Sequence, residues 1–448
     1  MSALKRKYNN CLSAIKWKLP FICKYFVVIS INFLRTILFM KNLFLFTFII
    51  IFFSCKNEET KAKKSMLTQL KIGTYKADLI IDKDLSIPFN FKVEDATHLT
   101  IFNADEEIKV DEISYKNDSV YIKLPVFEGV IKAKIEKNSL KGQFVMPEKG
   151  RQMNFEAQLN PNRFVSRVDA TANITGIWET TFSPDSKTDR YAAKGIFKQN
   201  GNKVTGTFRT TTGDYRFLEG VINGTKLELS TFDGAHAFLF TGTITDQTIT
   251  GQFYSGNHWK EPFIAIKNAN YELASADSLT YLKEGFDKVA FSFPDDTGKL
   301  VSLEDNRFKD KVVLVQIMGT WCPNCLDEST YFSEYYKANK GNDFEIVALA
   351  FEYVKTQEKA FKNVKRLKDR LDITYPILLA QTGSTNKQKA NNKLPMLNNL
   401  LSYPTTIFID KKGKVRKIHT GFNGPATGEK FIEFKTEFER FVGELRNE

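Results

Sequence analysis

A chain of 448 residues is too long for one compact core, so its length predicts two or three domains. Its formal net charge of +12 is concentrated at one end, because eight basic residues precede residue 42 and the first acidic residue is Glu58. The rest of the chain holds 56 basic and 52 acidic residues, without a basic stripe interleaved with aromatic residues. This distribution argues against nucleic acid as a partner.

Residues 40–55, MKNLFLFTFIIIFFSC, have the parts of a secretory signal: a basic start at Lys41, an apolar core at 43–53, and a small residue before Cys55. Such a core is shorter than the roughly 20 residues that span a bilayer. The end of this stretch resembles a bacterial lipoprotein signal, which is cut before a cysteine that carries lipid. The resemblance implies that 40–54 is a signal peptide and that Cys55 is lipidated.

The leader also bears on where the chain begins and where the protein resides. We interpret Met40 as the initiator and residues 1–39 as an upstream extension or leader; the alternative is that residues 21–53 form one or two membrane helices. Residues 55–66 are polar and Lys-rich, as in a flexible tether. Lys56 replaces the Asp of an inner-membrane retention signal, which favours the outer membrane. The predicted location is the cell envelope, lipid-anchored to a membrane, with its periplasmic or surface face left open.

Residues 67–270 have the pattern of short strands broken by Gly, Asn and Asp, as in VTGTFRTTTGDYRF and ITGQFYSG. A faint repeat runs through this region, in which GTY is followed by GQF, and GIW is then followed by a second GQF. GTY precedes GIW by 103 residues, and the first GQF precedes the second by 109 residues. The pattern predicts two antiparallel all-β modules, each a sandwich or barrel, at residues 67–165 and 170–270. A single larger β domain is the alternative.

Four residues of the second module lie near predicted strand ends and are candidates for a ligand or partner surface: Arg216, His236, His258 and Trp259. We favour the alternative that they are buried, hydrogen-bonded core residues. The sequence assigns no chemistry to the β region.

From residue 276 the pattern changes to alternating strands and helices. KVVLVQIMGT and FEIVALAF are continuous apolar strands, and YPILLA is a candidate third. TQEKAFKNVKRLKDRL has helical spacing, TTIFIDKKGKVRKIHTGF is typical of a hairpin, and GEKFIEFKTEFERFVGEL is an amphipathic helix. This order predicts an α/β domain over residues 276–448, so the fold class is multidomain, with all-β modules followed by an α/β domain.

Cys322 and Cys325, in GTWCPNC, lie where the first apolar strand ends and a helix begins. Unpaired N–H groups and the positive dipole end of a helix start favour a thiolate at Cys322. Cys325 lies one turn further on the same face, and Pro323 suits a first helical turn. An exported compartment makes such a pair redox-relevant. We predict Cys322 as the nucleophile and Cys325 as the resolving thiol. The redox-active group is their disulfide, and no cofactor is predicted.

VVLVQIMGTWCPNCLDE, followed some eighty residues later by YPTT, resembles the thioredoxin superfamily, and within it the exported TlpA-like thiol–disulfide oxidoreductases. The resemblance covers residues 285–448. It implies that Pro404 follows a cis peptide bond and packs against the active-site disulfide, and that Glu328 is an acid that helps to set the acidity of the thiols. It assigns substrate contacts to Trp321, Pro323 and Thr405, and catalytic roles to Cys322, Cys325, Glu328 and Pro404.

Other chemistries fit the cysteine pair less well. Zinc would need two further Cys or His ligands, and the four histidines are scattered, so no metal site is predicted. A peroxiredoxin would carry Pro and Thr where this chain has Val315 and Gly319. An inert structural disulfide is the remaining alternative, which Trp321 and Pro404 disfavour.

Two polar residues of this region have open roles. Gln316 stands where ordinary thioredoxins carry a buried Asp that relays protons, so the relay is absent or moved to Glu328. We predict Gln316 as a packing residue or as hydrogen-bonded to the backbone. For Glu328 the alternative is a solvated helix residue.

Together these patterns predict an exported, lipid-anchored thiol–disulfide oxidoreductase that reduces disulfides of exported proteins and is re-reduced by a membrane electron donor. The alternative is a surface or periplasmic binding lipoprotein. In that case the β modules capture a ligand or partner, and the redox domain is accessory.

Overall fold

A computed structural model describes residues 69–448, and the fold is given for that range. The predicted leader, the signal peptide with Cys55, and the tether lie outside it. Within residues 69–448, no helix combines the length and the hydropathy that a membrane crossing requires.

The first β module is one antiparallel sheet, in which alternate side chains of each strand face the interior. Its strands are β1 (Gly73–Ile80), β2 (Ser86–Val93), β3 (Leu99–Asn103), β4 (Glu106–Val110), β5 (Glu112–Lys116), β6 (Ser119–Lys123), β7 (Val130–Ile135), β8 (Ser139–Met146) and β9 (Arg151–Leu159). They run in the order β4-β3-β2-β1-β9-β8-β7-β6-β5. Since Asp111 alone joins the edge strands β4 and β5, the sheet must curl to bring its edges together.

The second β module is a closed barrel. Its strands are β10 (Gly176–Phe182), β11 (Tyr191–Asn200), β12 (Lys203–Thr210), β13 (Gly213–Asp214), β14 (Leu218–Asn223), β15 (Lys226–Phe232), β16 (Ala237–Thr245), β17 (Thr248–Ser255) and β18 (Trp259–Lys267). They run β11-β10-β18-β17-β16-β15-β14-β12-β13, and pairing of β11 with β12 closes the cylinder. Buried aromatic rings fill its interior, among them Phe182, Phe208, Phe240 and Phe263.

The internal repeat has a structural counterpart in the two modules. In each, the first strand pairs with the last, β1 with β9 and β10 with β18. The two GQF tripeptides lie on the penultimate strands, β8 and β17. The prediction of antiparallel β modules is thereby confirmed.

The C-terminal domain has a five-stranded mixed sheet in the order β23-β22-β21-β24-β25. Its strands, preceded by the small hairpin β19 (Ser292–Pro294) and β20 (Leu300–Ser302), are β21 (Val312–Met318), β22 (Phe344–Phe351), β23 (Ile377–Gln381), β24 (Thr405–Ile409) and β25 (Val415–Thr420). Its helices are α1 (Pro323–Asn339), α2 (Gln357–Leu371), α3 (Lys387–Asn391) and α4 (Glu429–Asn447). Every residue of β21 and β22 is buried, as their apolar runs predict. This is the predicted thioredoxin-like α/β fold.

Helix α2 joins the α/β domain to the first β module. The Arg366 guanidinium donates to the carbonyl oxygens of Leu124 and Phe127 at 2.7 and 2.9 Å and pairs with Glu112. Val126 and Phe127 pack into the core of the α/β domain. These contacts hold helix α2 of the α/β domain against the first β module.

Candidate active site at the cysteine pair

Cys322 occupies the N-cap of α1, at the carboxyl end of β21, where the sequence predicts it. Its backbone is extended, and its Sγ accepts the backbone N–H of Cys325 at 3.3 Å. The same Sγ lies 3.4 Å from the carbonyl oxygen of Tyr403. Both cysteines are free thiols. Since a sulfur that accepts a helical N–H gains from negative charge, this position suits a thiolate.

The two thiols have different surroundings. Cys322 is 7% exposed at the surface of a cleft, whereas Cys325 is 0% exposed. Burial raises the pKa of the Cys325 thiol well above its usual value, and the hydrogen bond and charge of Cys322 raise it further. One thiol can meet a ligand, and the other is kept protonated behind it.

The loops around Cys322 are held by contacts to neighbouring loops. The peptide bond between Tyr403 and Pro404 is cis, as the resemblance implies. The indole N–H of Trp321 donates to the Phe351 carbonyl at 2.9 Å, and its ring meets that of Tyr403 edge-on at 5.5 Å. The Thr405 hydroxyl donates to the Ser402 carbonyl at 2.9 Å, and its side chain is fully buried. The predicted substrate contact is thus not available to the Thr405 side chain.

Glu328 lies beneath the cysteine pair and is 0% exposed, so the alternative of a solvated helix residue is wrong. Its carboxylate accepts hydrogen bonds at 2.8 Å from the Gln316 amide and the Thr406 hydroxyl. Burial raises the pKa of Glu328 to about 7, against the opposing effect of these two donors. Gln316 also donates to the Ser329 hydroxyl. The predicted backbone bond of Gln316 is wrong, because its amide faces a buried carboxylate that needs donors.

Glu352 is a second buried carboxylate, which the sequence analysis missed. It follows β22 directly, and it accepts the Thr320 backbone N–H at 2.8 Å and the Thr320 hydroxyl at 2.7 Å. Burial raises the pKa of Glu352 to about 7. The sequence signal that could have found Glu352 is a charged residue directly after an apolar strand. The carboxyl end of that strand lies at the same edge of the sheet as Cys322. It fixes the loop that leads into the cysteines.

A loop of the barrel, residues 210–216, lies against the cysteine loop. The Ser402 hydroxyl donates to the Thr212 carbonyl at 2.9 Å, and the Asn324 amide donates to the Asp214 carbonyl at 3.4 Å. Gly213 has φ +148°, and a Cβ there would lie 2.3 Å from the Asn324 amide nitrogen. Only glycine allows this close approach of barrel and redox domain.

Arg216 ties three parts of the chain together from a buried position. Its guanidinium donates to Glu106 of the first β module at 2.5 Å and to Asp327 of α1, and its Nε lies 3.7 Å from Asp233 of the barrel. Burial raises the pKa of Asp327 to about 7 although Arg216 opposes this. The interpretation of Arg216 as a buried residue is confirmed, with ion pairs to all three domains.

The other barrel candidates line a cleft of about 1080 Å³ that contains Cys322. His258 is exposed, Trp259 is 51% exposed, and His236 is partly exposed. Their interpretation as core residues is wrong, because these strand ends face the redox domain across the cleft. The prediction of a buried core environment is wrong for these three residues, because they lie where the barrel meets another domain.

The histidines are spread over the described chain. His98, His236 and His419 each lie beside one aspartate, with N···O distances of 2.9, 3.2 and 2.7 Å. Across residues 69–448 no group of three or more His, Cys, Asp or Glu side chains is placed to hold a metal ion.

Comparisons with known proteins concern the α/β domain. Residues 285–431 match the family model described as Redoxin. The thioredoxin-like protein YneN of Bacillus subtilis (strain 168) is 31% identical over 140 residues, which are 31% of this chain and 73% of the relative. The thiol-disulfide oxidoreductase ResA of the same strain is 32% identical over 142 residues, 31% of this chain and 69% of the relative.

Matches to ResA proteins of Geobacillus thermodenitrificans (strain NG80-2) and Bacillus thuringiensis subsp. konkukian (strain 97-27) span 57% and 62% of their lengths. A solved thiol-disulfide oxidoreductase from Bacteroides fragilis NCTC 9343 is similar at 19% identity and a TM-score of 0.25, over 33% of this chain and 99% of that chain.

A buried strand that leads into Trp-Cys-x-x-Cys at a helix N-cap, beside a cis proline, is the arrangement that the resemblance to the thioredoxin superfamily implies. The chain belongs to the thioredoxin superfamily, in the group of the TlpA-like and ResA-like thiol–disulfide oxidoreductases. The β modules lie outside the matched residues 285–431.

Proposed function

We propose that this protein is an exported, lipid-anchored enzyme of the cell envelope that reduces disulfides of exported proteins. The observation that carries the proposal is the asymmetry of the pair. Cys322 faces a cleft and accepts a helical N–H, while Cys325 is buried behind it with a raised pKa. A nucleophile needs exposure and a stabilised thiolate, and a resolving thiol needs neither until the mixed disulfide has formed.

The reaction proceeds by two exchanges. The Cys322 thiolate attacks one sulfur of the substrate disulfide, forms a mixed disulfide, and expels the other sulfur as a thiolate that takes up a proton. Cys325 then loses its proton, attacks the Cys322 sulfur, and releases the second substrate thiolate. The substrate gains two electrons, and the enzyme pair becomes a disulfide. A membrane electron donor returns two electrons, and two protons restore the dithiol.

Glu328 is the proposed acceptor of the Cys325 proton. It lies one helical turn beyond Cys325, fully buried, and its charge is among the causes that raise the pKa of that thiol. A carboxyl with a pKa of about 7 exchanges protons readily at neutral pH. It would therefore do the work of the buried Asp that Gln316 replaces.

The barrel bears on the rival proposal of a binding lipoprotein with an accessory redox domain. The barrel loop contacts Asn324 and Ser402, on either side of Cys322. Barrel residues also line the cleft that holds the sulfur. These contacts favour one joint site over two separate functions.

Trapping of substrates tests the proposal. A Cys325→Ala variant expressed in an exporting cell should accumulate mixed disulfides through Cys322 in the membrane fraction, since the second exchange is blocked. The Cys322→Ala, Cys325→Ala double variant is the control and should trap nothing. Equal capture by both variants would contradict the proposal.

Equilibration against a glutathione buffer tests the direction of electron flow. A reductase is expected near the reducing end of the range of Cys-x-x-Cys potentials, about −270 mV. A value near the oxidising end, about −120 mV, would remove the assignment as a reductase.

A further inference from the structure

Three cationic side chains without a carboxylate partner line the cleft in front of Cys322. Lys149 and Arg151 come from the first β module, and Lys387 begins α3 of the redox domain. Within residues 69–448 none of the three forms a salt bridge, and the Lys149 ammonium lies 5.5 Å from the ring centroid of Tyr353. Positive charge around a cleft attracts ligands of opposite sign.

The cleft supplies little negative charge of its own. Asp214 is the only carboxylate among the lining residues that the structure describes. Its two oxygens accept the backbone N–H groups of Gly424 at 2.6 Å and Arg216 at 2.7 Å, and its side chain is buried. The cations that act on the pKa of Asp214 are Arg216 and Arg209, so its charge is compensated from the barrel and not by the three cations of the cleft.

The titration of neighbouring groups agrees with a positive field at the sulfur. Burial and the charges of Arg151 and Lys149 lower the pKa of His258 to about 4, so this imidazole is neutral at pH 7. Burial lowers the pKa of Lys149 and of Lys387, while a negative charge on Cys322 acts in the opposite direction on both. An anion beside the sulfur would therefore favour the charged form of these lysines.

The shape of the cleft restricts what reaches the sulfur. Its volume of about 1080 Å³ is that of a site for a small ligand or a short chain segment, and Cys322 is 7% exposed inside it. The contacts of Asn324 and Ser402 with the barrel loop hold the barrel beside the cysteine. Trp259, which is 51% exposed, offers an apolar ring surface for such a segment.

We propose that the cleft selects disulfides carried on a thin, flexible chain with carboxylate groups, which Lys149, Arg151 and Lys387 bind while the disulfide sulfur reaches Cys322. This inference rests on the proposed function and names its substrate class. An acidic unfolded protein segment and a small anionic disulfide share this chemistry. The exchange steps are those given above.

Single-turnover reduction rates with the reduced full chain test the inference. The probes are two disulfide-bridged peptides with Glu or Lys around the cysteine, glutathione disulfide, and uncharged 2,2′-dithiodipyridine. We expect the Glu peptide to react about tenfold faster than the Lys peptide at low salt, and the advantage to shrink as salt rises.

Charge-removing variants locate the effect. Arg151→Gln with Lys387→Gln should abolish the preference for the Glu peptide, measured as the ratio of the Glu-peptide rate to the Lys-peptide rate. The dithiodipyridine rate of the same variant reports separately any change in the reactivity of the Cys322 sulfur. The matched control, Lys132→Gln with Lys389→Gln, removes the same charge from exposed positions of the same two domains outside the cleft. It should retain the preference.

The outcomes separate this inference from the proposed function. If the Glu peptide is reduced faster than glutathione disulfide, the natural substrate is an acidic chain segment. If glutathione disulfide is reduced faster than both peptides, the natural substrate is a small anionic disulfide. Either result agrees with the inference. Equal rates for the Glu and Lys peptides, with normal reaction of dithiodipyridine, would overturn it. So would a folded protein disulfide that is reduced as fast as the same disulfide in the unfolded protein. Failure of dithiodipyridine to react would instead remove the proposed function.

Discussion

Cys322 lies between two surroundings that are built in different ways. Behind it, within the α/β domain, the contacts are local and mostly uncharged at the thiol: the N–H of Cys325, the buried Glu328, and the amide of Gln316. In front of it, the barrel loop and the first β module supply charged residues from distant parts of the chain, including Arg216 and Lys149.

This difference separates chemistry from access. The rear surroundings raise the pKa of Cys325 and of Glu328, because burial there acts directly on both groups. The front surroundings line the cleft, and we expect them to determine what can enter it. Variants should therefore affect either the chemistry or the access, depending on the side.

The largest expected effect is on the front side, from Arg216→Ala. The substitution leaves the carboxylates of Glu106 and Asp327 buried without their cation, and leaves Asp233 with His236 alone. Breaking such a buried network on one side costs about 3–5 kcal/mol, measured as the loss in free energy of unfolding in urea.

The control for this prediction is Arg190→Ala, which removes an exposed arginine from the same module. It should change the free energy of unfolding by less than about 0.5 kcal/mol. If the loss for Arg216→Ala were as small, ion pairing would not hold the barrel against the redox domain.

The second largest expected effect is on the rear side, where Glu328→Gln should slow the second thiol–disulfide exchange. With a pKa of about 7, Glu328 is protonated below that pH and able to accept the Cys325 proton above it. The rate of the second exchange in the wild-type protein should therefore rise through pH 7. The variant lacks this rise, and its rate at pH 8 should be about a hundredfold lower, measured as release of thiol from a preformed mixed disulfide.

Glu352→Gln is the matched control, because Glu352 is equally buried and also has a pKa of about 7, yet it accepts hydrogen bonds from Thr320 and is not among the groups that raise the pKa of Cys325. It should keep the rise through pH 7. A Glu328→Gln variant that kept this rise as well would show that another group accepts the proton.

The rear side could be predicted from the sequence because its signals are local. The apolar run of β21 predicts a buried strand, and Pro323 after Cys322 predicts the helix start. The contact between Gln316 and Glu328 spans only twelve residues. Even here the predicted hydrogen-bond partner of Gln316 was wrong, because the pattern of a strand shows which face a side chain occupies and does not show which residue lies opposite.

The front side could not be predicted, because its contacts join residues that are far apart in sequence. Arg216 and Asp327 are separated by 111 positions, and Thr212 and Ser402 by 190. No spacing or periodicity marks such pairs. A barrel turn that faces another domain has the same local pattern as one that closes a core, so His258 was placed in the wrong environment.

The asymmetry of the two thiols is tested most directly by alkylation of the fully reduced full chain with limiting iodoacetamide at pH 7. Fragment mass spectra of the peptide that contains both cysteines then show which sulfur reacted. We predict modification at Cys322 first, with Cys325 unmodified, since one faces the cleft and the other is buried with a raised pKa. Equal modification of both thiols, or earlier modification of Cys325, would contradict the account.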